Sequence, residues 1–172
     1  IKNGDKVIGI DNFTPYYSIK IKKENIKGLL TNSKFTFLEK DILKLNLNKI
    51  LNDVDVVYHL AAQAGVRRSW GKNFIVYLNN NIIATQKLLE SLKNIKHLKK
   101  MVFASSSSIY GDTEEMPIKE NTLTTPVSPY GVTKLAAEKL CYLYWKNYGV
   151  PIISLRYFFV YGPRQRPDMA FN

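Results

Sequence analysis

The sequence predicts an α/β fold, because short apolar runs rich in β-branched residues alternate with longer helical patterns. Several of the runs are apolar on both faces, as buried parallel strands are. The predicted strands are residues 6–11, 35–39, 54–61, 100–105 and 151–158. A chain of 172 residues with 45% hydrophobic content can bury one core. We therefore predict one domain over residues 1–172, a Rossmann-like doubly wound parallel sheet.

Two helices are predicted between the later strands. The first spans about twenty residues between 73 and 96 and carries one apolar stripe. The stripe consists of Ile82, Thr85, Leu88, Leu89 and Leu92. The second helix has clear end signals: Ser128 can cap it, Pro129 fits its first turn, and Gly149 can end it.

Polar residues follow the predicted strands at their carboxyl ends. Parallel sheets connected by right-handed crossovers bind ligands at that edge. The residues are Asp11, Asp41, Gln63, the serines at 105–108, Arg164 and Arg166. We therefore expect a ligand site at this edge of the sheet.

Tyr130 and Lys134 lie four residues apart at the start of the second helix. At this spacing the two side chains share one helix face, so the ammonium can lie close to the phenol. A tyrosine that accepts a proton near neutral pH needs its pKa lowered by roughly two to three units from ~10. A lysine cation beside it favours that change. The spacing also occurs by chance in amphipathic helices, and the serines upstream are what favour a catalytic interpretation.

Asp11 ends the first predicted strand, where a carboxylate suits the two hydroxyls of an adenosine ribose and repels a 2′-phosphate. This favours NAD over NADP. In the dinucleotide-binding fingerprint the glycine-rich loop lies roughly twenty residues before this acid, which is ahead of Ile1. Either Asp11 is a turn residue, or the chain is a fragment that lacks the first strand with its glycine-rich loop.

A family resemblance runs through almost the whole chain in the correct order. The segments that carry it are KVIGIDNF, EKDI, YHLAAQAGVRRSW, NNNIIATQKLLE, VFASSSSIYGD, SPYGVTKLAAE and LRYFFVYGPRQRPDM. Read together, they resemble the NAD-dependent sugar-nucleotide epimerases of the extended short-chain dehydrogenase/reductase family, most closely the UDP-glucuronate 4-epimerases. The resemblance implies a piece of a longer epimerase that lacks the first strand and most of the C-terminal substrate region.

The resemblance implies epimerisation at C4 of a nucleotide sugar, from UDP-glucuronate to UDP-galacturonate, through a transient 4-keto intermediate. NAD is the implied cofactor and a homodimer the implied form of the complete protein, while the fragment alone is expected to be inactive. In this family Tyr130 corresponds to the base that takes the 4-hydroxyl proton. Lys134 lowers the pKa of that tyrosine and bonds the nicotinamide ribose, and Ser106 holds the 4-oxygen.

The remaining site residues are also implied by matching position. The cofactor-binding set is Asp11, Asp41, Ile42, Ala61, Ala62, Gln63, Lys134 and Tyr157. The substrate-binding set is Arg67, Asn81, Ser107, Ser108 and Arg166. Relatives that dehydrate or decarboxylate the sugar carry an Asp-Glu or Ser-Glu pair in place of Ser107 and Ser108, so the two serines favour epimerisation.

The choice of sugar rests on two arginines and one departure from the family pattern. A guanidinium matches a carboxylate in shape and charge, and glucuronate has one at C6, so Arg166 and Arg67 are candidates to bind it. Either could instead lie at the surface or face a phosphate. Phe159 stands where the resembling enzymes carry Thr or Asn. A UDP-glucose 4-epimerase or another sugar-nucleotide dehydrogenase or dehydratase therefore stays open.

A non-catalytic nucleotide-binding or scaffold module is the alternative from another class, and cofactor content of the full-length protein separates it from an enzyme. The net charge of +11 and pI near 9.6 come from scattered lysines without a nucleic-acid-binding motif, so no nucleic-acid partner is predicted. Cys141 is the single cysteine and is expected to be a buried thiol, with no metal site. No apolar run has membrane-spanning length, and we expect a cytoplasmic protein without membrane contact.

Overall fold

The computed structural model describes residues 1–169. Its backbone forms two compact units. One consists of Ile1–Leu45 with the described residues from Phe159 onward, and the other is Asn46–Phe158. The predicted strands are all present in chain order, and every strand pairing is parallel. The α/β fold class is confirmed.

The first unit contains strand β1 (Val7–Asp11), helix α1 (Ile19–Leu30) and strand β2 (Phe35–Glu39). β1 and β2 form a two-stranded parallel sheet in which Asp11 pairs with Glu39. β1 is not among the strands buried on both faces, since Val7 is 36% and Ile8 45% exposed. A two-stranded sheet with one helix does not cover both faces of its strands.

The second unit contains a three-stranded parallel sheet in the order β3-β4-β5. The strands are β3 (Val56–His59), β4 (Lys100–Ser106) and β5 (Ile152–Tyr157). β4 is the central strand and is well buried, and it ends with Ser106 at the carboxyl end of the sheet. β3 is shorter than the predicted 54–61, since the Val54 N–H turns back to the Leu51 carbonyl at 3.1 Å. Among residues 1–169 no strand joins this sheet to the β1-β2 pair.

The helix predicted between 73 and 96 is interrupted. It is built from α3 (Phe74–Tyr77), a π-helical turn (Leu78–Ile83) and α4 (Ala84–Leu92). A π turn adds a residue to the helical repeat and therefore rotates the side chains that follow it. Four members of the predicted stripe are buried in α4 and Ile82 is half-buried. The short helix α2 (Leu47–Leu51), which precedes β3, was not predicted from the sequence.

Helix α5 (Pro129–Tyr148) begins and ends where the sequence predicts. The Ser128 hydroxyl accepts the Gly131 N–H at 3.0 Å, and Gly149 closes the helix at φ +69°. Cys141 lies buried on its inner face, where burial raises the pKa of the thiol to about 12. The prediction of a buried thiol is confirmed. None of the helices found between residues 1 and 169 has the length and apolar character of a membrane span.

Candidate active site

The serines after β4 form a tight turn, which we call the serine turn (residues 106–109). The Ser106 hydroxyl accepts the Ser108 N–H at 3.2 Å and so caps the 3-10 turn Ser107–Ile109. Within residues 1–169 this is the only hydrogen bond of that hydroxyl, so its proton is available to donate to a ligand oxygen. Ser107 and Ser108 are half-buried beside it.

The serine turn packs directly on the first turn of α5. A Cβ on Gly131 would lie 2.5 Å from the Ser108 carbonyl oxygen, which no side chain tolerates. Gly131 therefore permits this close approach. Because Tyr130 is the residue before Gly131, the contact places the predicted base on the helix turn that meets the serines.

Tyr130 and Lys134 occupy different surroundings on this helix. The half-buried Tyr130 ring lies edge-on to the Tyr77 ring, with centroids 6.2 Å apart. Lys134 is 3% exposed, its ammonium donates to the Ala104 carbonyl, and it lies 4.6 Å from the Phe103 ring centroid. Burial lowers the pKa of this lysine to about 8. The structure thus holds a desolvated lysine against the carbonyl of Ala104, the residue two positions before the serine turn.

Asn81 joins the end of β3 to the start of α5. Its Oδ1 accepts the Gln63 N–H at 2.7 Å, and its Nδ2 donates to the Gln63 carbonyl at 3.1 Å. The same Nδ2 donates to the Thr133 hydroxyl at 2.9 Å, which in turn donates to the Tyr130 carbonyl. These bonds use the amide oxygen and both amide hydrogens, so they fix the orientation of the side chain. The π turn that carries Asn81 thus anchors the Tyr130 helix to the predicted cofactor segment.

His59 is a buried residue of this region that sequence reasoning did not single out. Its Nε2 lies 2.9 Å from the Thr85 hydroxyl, which donates its own proton to the Asn81 carbonyl at 2.6 Å. Since that hydroxyl must then accept from the ring, His59 is the neutral Nε2–H tautomer. Burial first, and the nearby Lys134 charge second, lower the pKa of His59 to about 4.

The pKa of His59 predicts an acid-sensitive fold. An unfolded histidine binds its proton near pH 6.5 and folded His59 only near 4, so the unfolded state holds more protons in that interval. The free energy of unfolding should therefore fall as the pH falls from 6.5 to 4, by about 3 kcal/mol. Urea titrations at a series of pH values measure this. His59→Gln should flatten the dependence of unfolding free energy on pH, whereas His97→Gln, at an exposed histidine, should leave it unchanged. Equal pH dependence of the unfolding free energy in the two variants would contradict the role of His59.

The first unit holds the predicted adenine-side residues. Asp11 and Asp41 follow neighbouring strands, and the Lys40 N–H donates to the Asp11 carbonyl at 3.1 Å. Each carboxylate also organises its own turn: Asp11 accepts the Phe13 N–H at 2.7 Å and Asp41 the Leu43 N–H at 2.9 Å. These bonds show the turn role of both residues, and the ribose role of Asp11 stays a prediction. Ile42 follows in the same turn and is half-buried.

Arg166 belongs to the first unit. Its guanidinium carbon lies 5.1 Å from the Tyr16 ring centroid, and its Nε lies 3.3 Å from an Asp168 carboxylate oxygen. In the second unit Ala61 and Ala62 are exposed, Gln63 is buried, and Arg67 is exposed in a 3-10 turn. Tyr157 pairs with Ser106 across β4 and β5, so it lies at the same sheet end as the serine turn.

Each compact unit holds donor types that suit one part of a nicotinamide dinucleotide. Asp11 is exposed at a strand end, where its second carboxylate oxygen can accept from ribose hydroxyls. On the other unit, the exposed Ala61–Ala62 backbone offers peptide groups, and the candidate cation is the buried Lys134 ammonium, which donates to the Ala104 carbonyl. Asp11 and the Ala61–Ala62 segment lie at strand ends and Lys134 lies on α5, so each unit contributes residue types that such a cofactor requires.

Sequence and structure comparisons place these features among known proteins. Residues 1–172 match the family model described as GDP-mannose 4,6 dehydratase. The uncharacterized UDP-glucose epimerase YtcB of Bacillus subtilis is 49% identical over 166 residues, covering 96% of this chain and 52% of that protein. A UDP-glucuronate 4-epimerase of Thermodesulfobacterium geofontis is 40% identical over 173 residues, covering 99% of this chain and 53% of its own length.

A solved structure gives the same result for the fold. The crystal structure of UDP-glucuronic acid 4-epimerase from Bacillus cereus, in complex with UDP-glucuronic acid and NAD, superimposes with a TM-score of 0.92 at 55% identity. The match covers 96% of this chain and 52% of that chain. The chain therefore spans about half the length of the relatives that it matches.

Proposed function

Since the chain belongs to the family described as GDP-mannose 4,6 dehydratase, we propose that its full-length gene product is a NAD-dependent sugar-nucleotide 4-epimerase. The proposed reaction converts UDP-glucuronate to UDP-galacturonate. One observation carries the proposal: the serine turn, Tyr130 and Lys134 lie together where β4 meets α5. NAD, when bound, accepts the C4 hydride of the sugar and returns it to the opposite face.

The residues of this chain supply the proton chemistry. Tyr130 takes the proton of the 4-hydroxyl as the C4 hydrogen leaves, and returns it when the 4-keto sugar is reduced. The proton and hydride removed are both restored, so no net oxidation occurs. Ser106 donates its hydroxyl proton to the sugar 4-oxygen. The hydroxyl oxygen accepts the Ser108 N–H, so its proton remains available for this bond. The Lys134 cation lowers the pKa of the Tyr130 phenol and bonds the nicotinamide ribose.

Assignment of the sugar rests on Arg166. The face of its guanidinium lies against the Tyr16 ring, and its Nε lies 3.3 Å from an Asp168 carboxylate oxygen, so the edge of the group already pairs with a carboxylate. We assign it to the C6 carboxylate of glucuronate, with Arg67 as the second candidate cation. The second candidate function is a UDP-glucose 4-epimerase. It is favoured by the similarity to the Bacillus subtilis UDP-glucose epimerase YtcB and by Phe159.

A variant of Arg166 separates the two sugars. Arg166→Ala should lower kcat/KM for UDP-glucuronate roughly ten- to a hundredfold, since one charge-assisted pair is lost, and should scarcely affect UDP-glucose. Lys20→Gln, at an exposed cation of the same compact unit, is the control for loss of a positive charge. Equal losses with both sugars would move Arg166 to the phosphates or the scaffold and favour the neutral hexose.

We also propose that the full-length gene product is a cytoplasmic homodimer. Large apolar side chains are exposed on the helices of the second unit. Examples are Ile75 on α3, Ile83 in the π-helical turn and Leu143 on α5. Such surface favours association with another chain. Light scattering of the purified protein measures the mass: twice the chain mass supports the dimer and a single chain mass refutes it.

The direct test of the proposed function is product analysis. The full-length gene product, supplied with UDP-glucuronate and NAD, should yield UDP-galacturonate and reach equilibrium from either sugar. Carbon dioxide release would instead indicate decarboxylation, and loss of water dehydration. Absence of any turnover with cofactor bound would favour a non-catalytic nucleotide-binding module.

A further inference from the structure

A mostly buried ion pair lies next to the serine turn, on its sheet side. Arg156 stands on β5 opposite Ser105 of β4 in the strand register. Its Nη2 donates to Glu138 Oε1 at 2.7 Å and its Nε lies 3.2 Å from the same oxygen. The two side chains are 21% and 12% exposed. A buried pair of this kind adds little net stability once its desolvation is counted, so its geometry is the more informative property.

Both partners of this pair also reach the residues that flank the serine turn. Glu138 Oε2 accepts the hydroxyl of Ser105, the residue before the turn, at 2.5 Å. Arg156 Nη1 donates to the hydroxyl of Tyr110, the residue after the turn, at 2.8 Å, and to the Glu120 carbonyl at 2.7 Å. The guanidinium carbon also lies 5.0 Å from the Tyr110 ring centroid.

We infer that Arg156 and Glu138 are positioning residues that fix the serine turn at both ends and so hold Ser106 in place relative to Tyr130. This inference rests on the proposed function, in which Ser106 and Tyr130 act on the same oxygen of the sugar. Glu138 lies one helical turn after Lys134 on α5, so the helix that carries the base also carries the anchor of the turn. Tyr110, which is buried, completes the link, since its backbone N–H donates to the Ser107 carbonyl at 3.0 Å.

The most selective variant is Tyr110→Phe, which keeps the buried ring and removes only the hydroxyl that Arg156 bonds. In the full-length gene product kcat with UDP-glucuronate should fall about fivefold to tenfold, because a small misplacement of a reacting group is costly. Bound NAD and KM should stay near the wild-type values. Tyr142→Phe, at an exposed tyrosine on α5, is the matched control and should change none of these values.

Arg156→Lys tests whether the effect passes through the arginine. A lysine keeps a cation near Glu138 but lacks the fork that bonds Glu138 and Tyr110 together. The double variant Tyr110→Phe/Arg156→Lys should lose no more kcat than Arg156→Lys alone, since both changes remove the same bond between residue 156 and the Tyr110 hydroxyl. Independent, multiplicative losses would overturn the inference, as would unchanged kcat in Tyr110→Phe.

Amide hydrogen exchange provides a measurement that does not depend on catalysis. In Tyr110→Phe the amides of residues 106–111 should exchange several times faster, while those in the middle of α5 keep their protection. Exchange that is unchanged in the turn, or raised equally throughout α5, would overturn the positioning role. A wild-type protein that binds NAD without epimerising UDP-glucuronate would refute the proposed function, and the exchange result would still decide this inference.

Discussion

Tyr130→Phe should abolish epimerisation by the full-length gene product while leaving NAD bound. Only the phenol oxygen is lost, and the ring can keep its edge-on contact with Tyr77. General base catalysis contributes about a hundredfold to ten-thousandfold, so we expect kcat to fall by about a thousandfold. Steady-state turnover and the NAD content of the purified protein measure the two effects separately.

Tyr148→Phe, at an exposed tyrosine of the same helix, controls for a general effect of losing a phenol. It should retain full activity. If Tyr130→Phe kept more than a tenth of wild-type turnover, another group would be the base. Loss of NAD together with turnover would instead indicate that the variant disturbs the cofactor site.

Lys134→Met should stabilise the protein and inactivate it. The folded state lowers the pKa of Lys134 to about 8 from 10.5 by burial, so below pH 8 the fold carries a desolvated cation. Methionine fills a similar volume without that charge. The free energy of unfolding at pH 7 should rise by about 1 to 3 kcal/mol, while kcat/KM falls a hundredfold or more. Urea titration and turnover measure the two effects.

The sign of the effect can be checked by pH. Between pH 8 and 10.5 the unfolded chain binds more protons than the fold at this position, so wild-type stability rises with pH there. The advantage of Lys134→Met should therefore shrink across that interval. Lys139→Met, at an exposed lysine on the same helix, should change stability little at any pH. A destabilised Lys134→Met protein would show that the bond to the Ala104 carbonyl outweighs the cost of burial.

Local signals in the sequence predicted the parts of the site that local chemistry determines. The ends of α5 follow from Ser128, Pro129 and Gly149, each of which acts within one helical turn. The strands followed from runs of β-branched residues, and β4 ended one residue from the predicted position, at Ser106. The placement of Tyr130 beside the serine turn needed a further fact, that Gly131 admits the Ser108 carbonyl.

Features that depend on distant partners were not predicted. The sequence around the π turn at Leu78–Ile83 is compatible with a regular α-helix, so the turn was not predicted. Its structural role is visible only in the bonds of Asn81 to Gln63 and Thr133. The pairing of Arg156 with Glu138 depends on the register of β4 and β5 and on the face of α5. The one sequence signal for this ion pair was Glu138, an acid four residues after Lys134 on a helix face that is otherwise buried. Helix α1 was missed because its lysine-rich sequence buries none of its side chains.

The most direct test of C4 epimerisation is the fate of a deuterium placed on C4 of UDP-glucuronate. The full-length gene product should release UDP-galacturonate that keeps the deuterium on C4 in unlabelled water, because a hydride taken up and returned within one site does not exchange with solvent. Nuclear magnetic resonance of the product reads the label and the configuration together. A UDP-galacturonate product with protium at C4, or a labelled product that has lost its carboxylate, would contradict the proposed reaction.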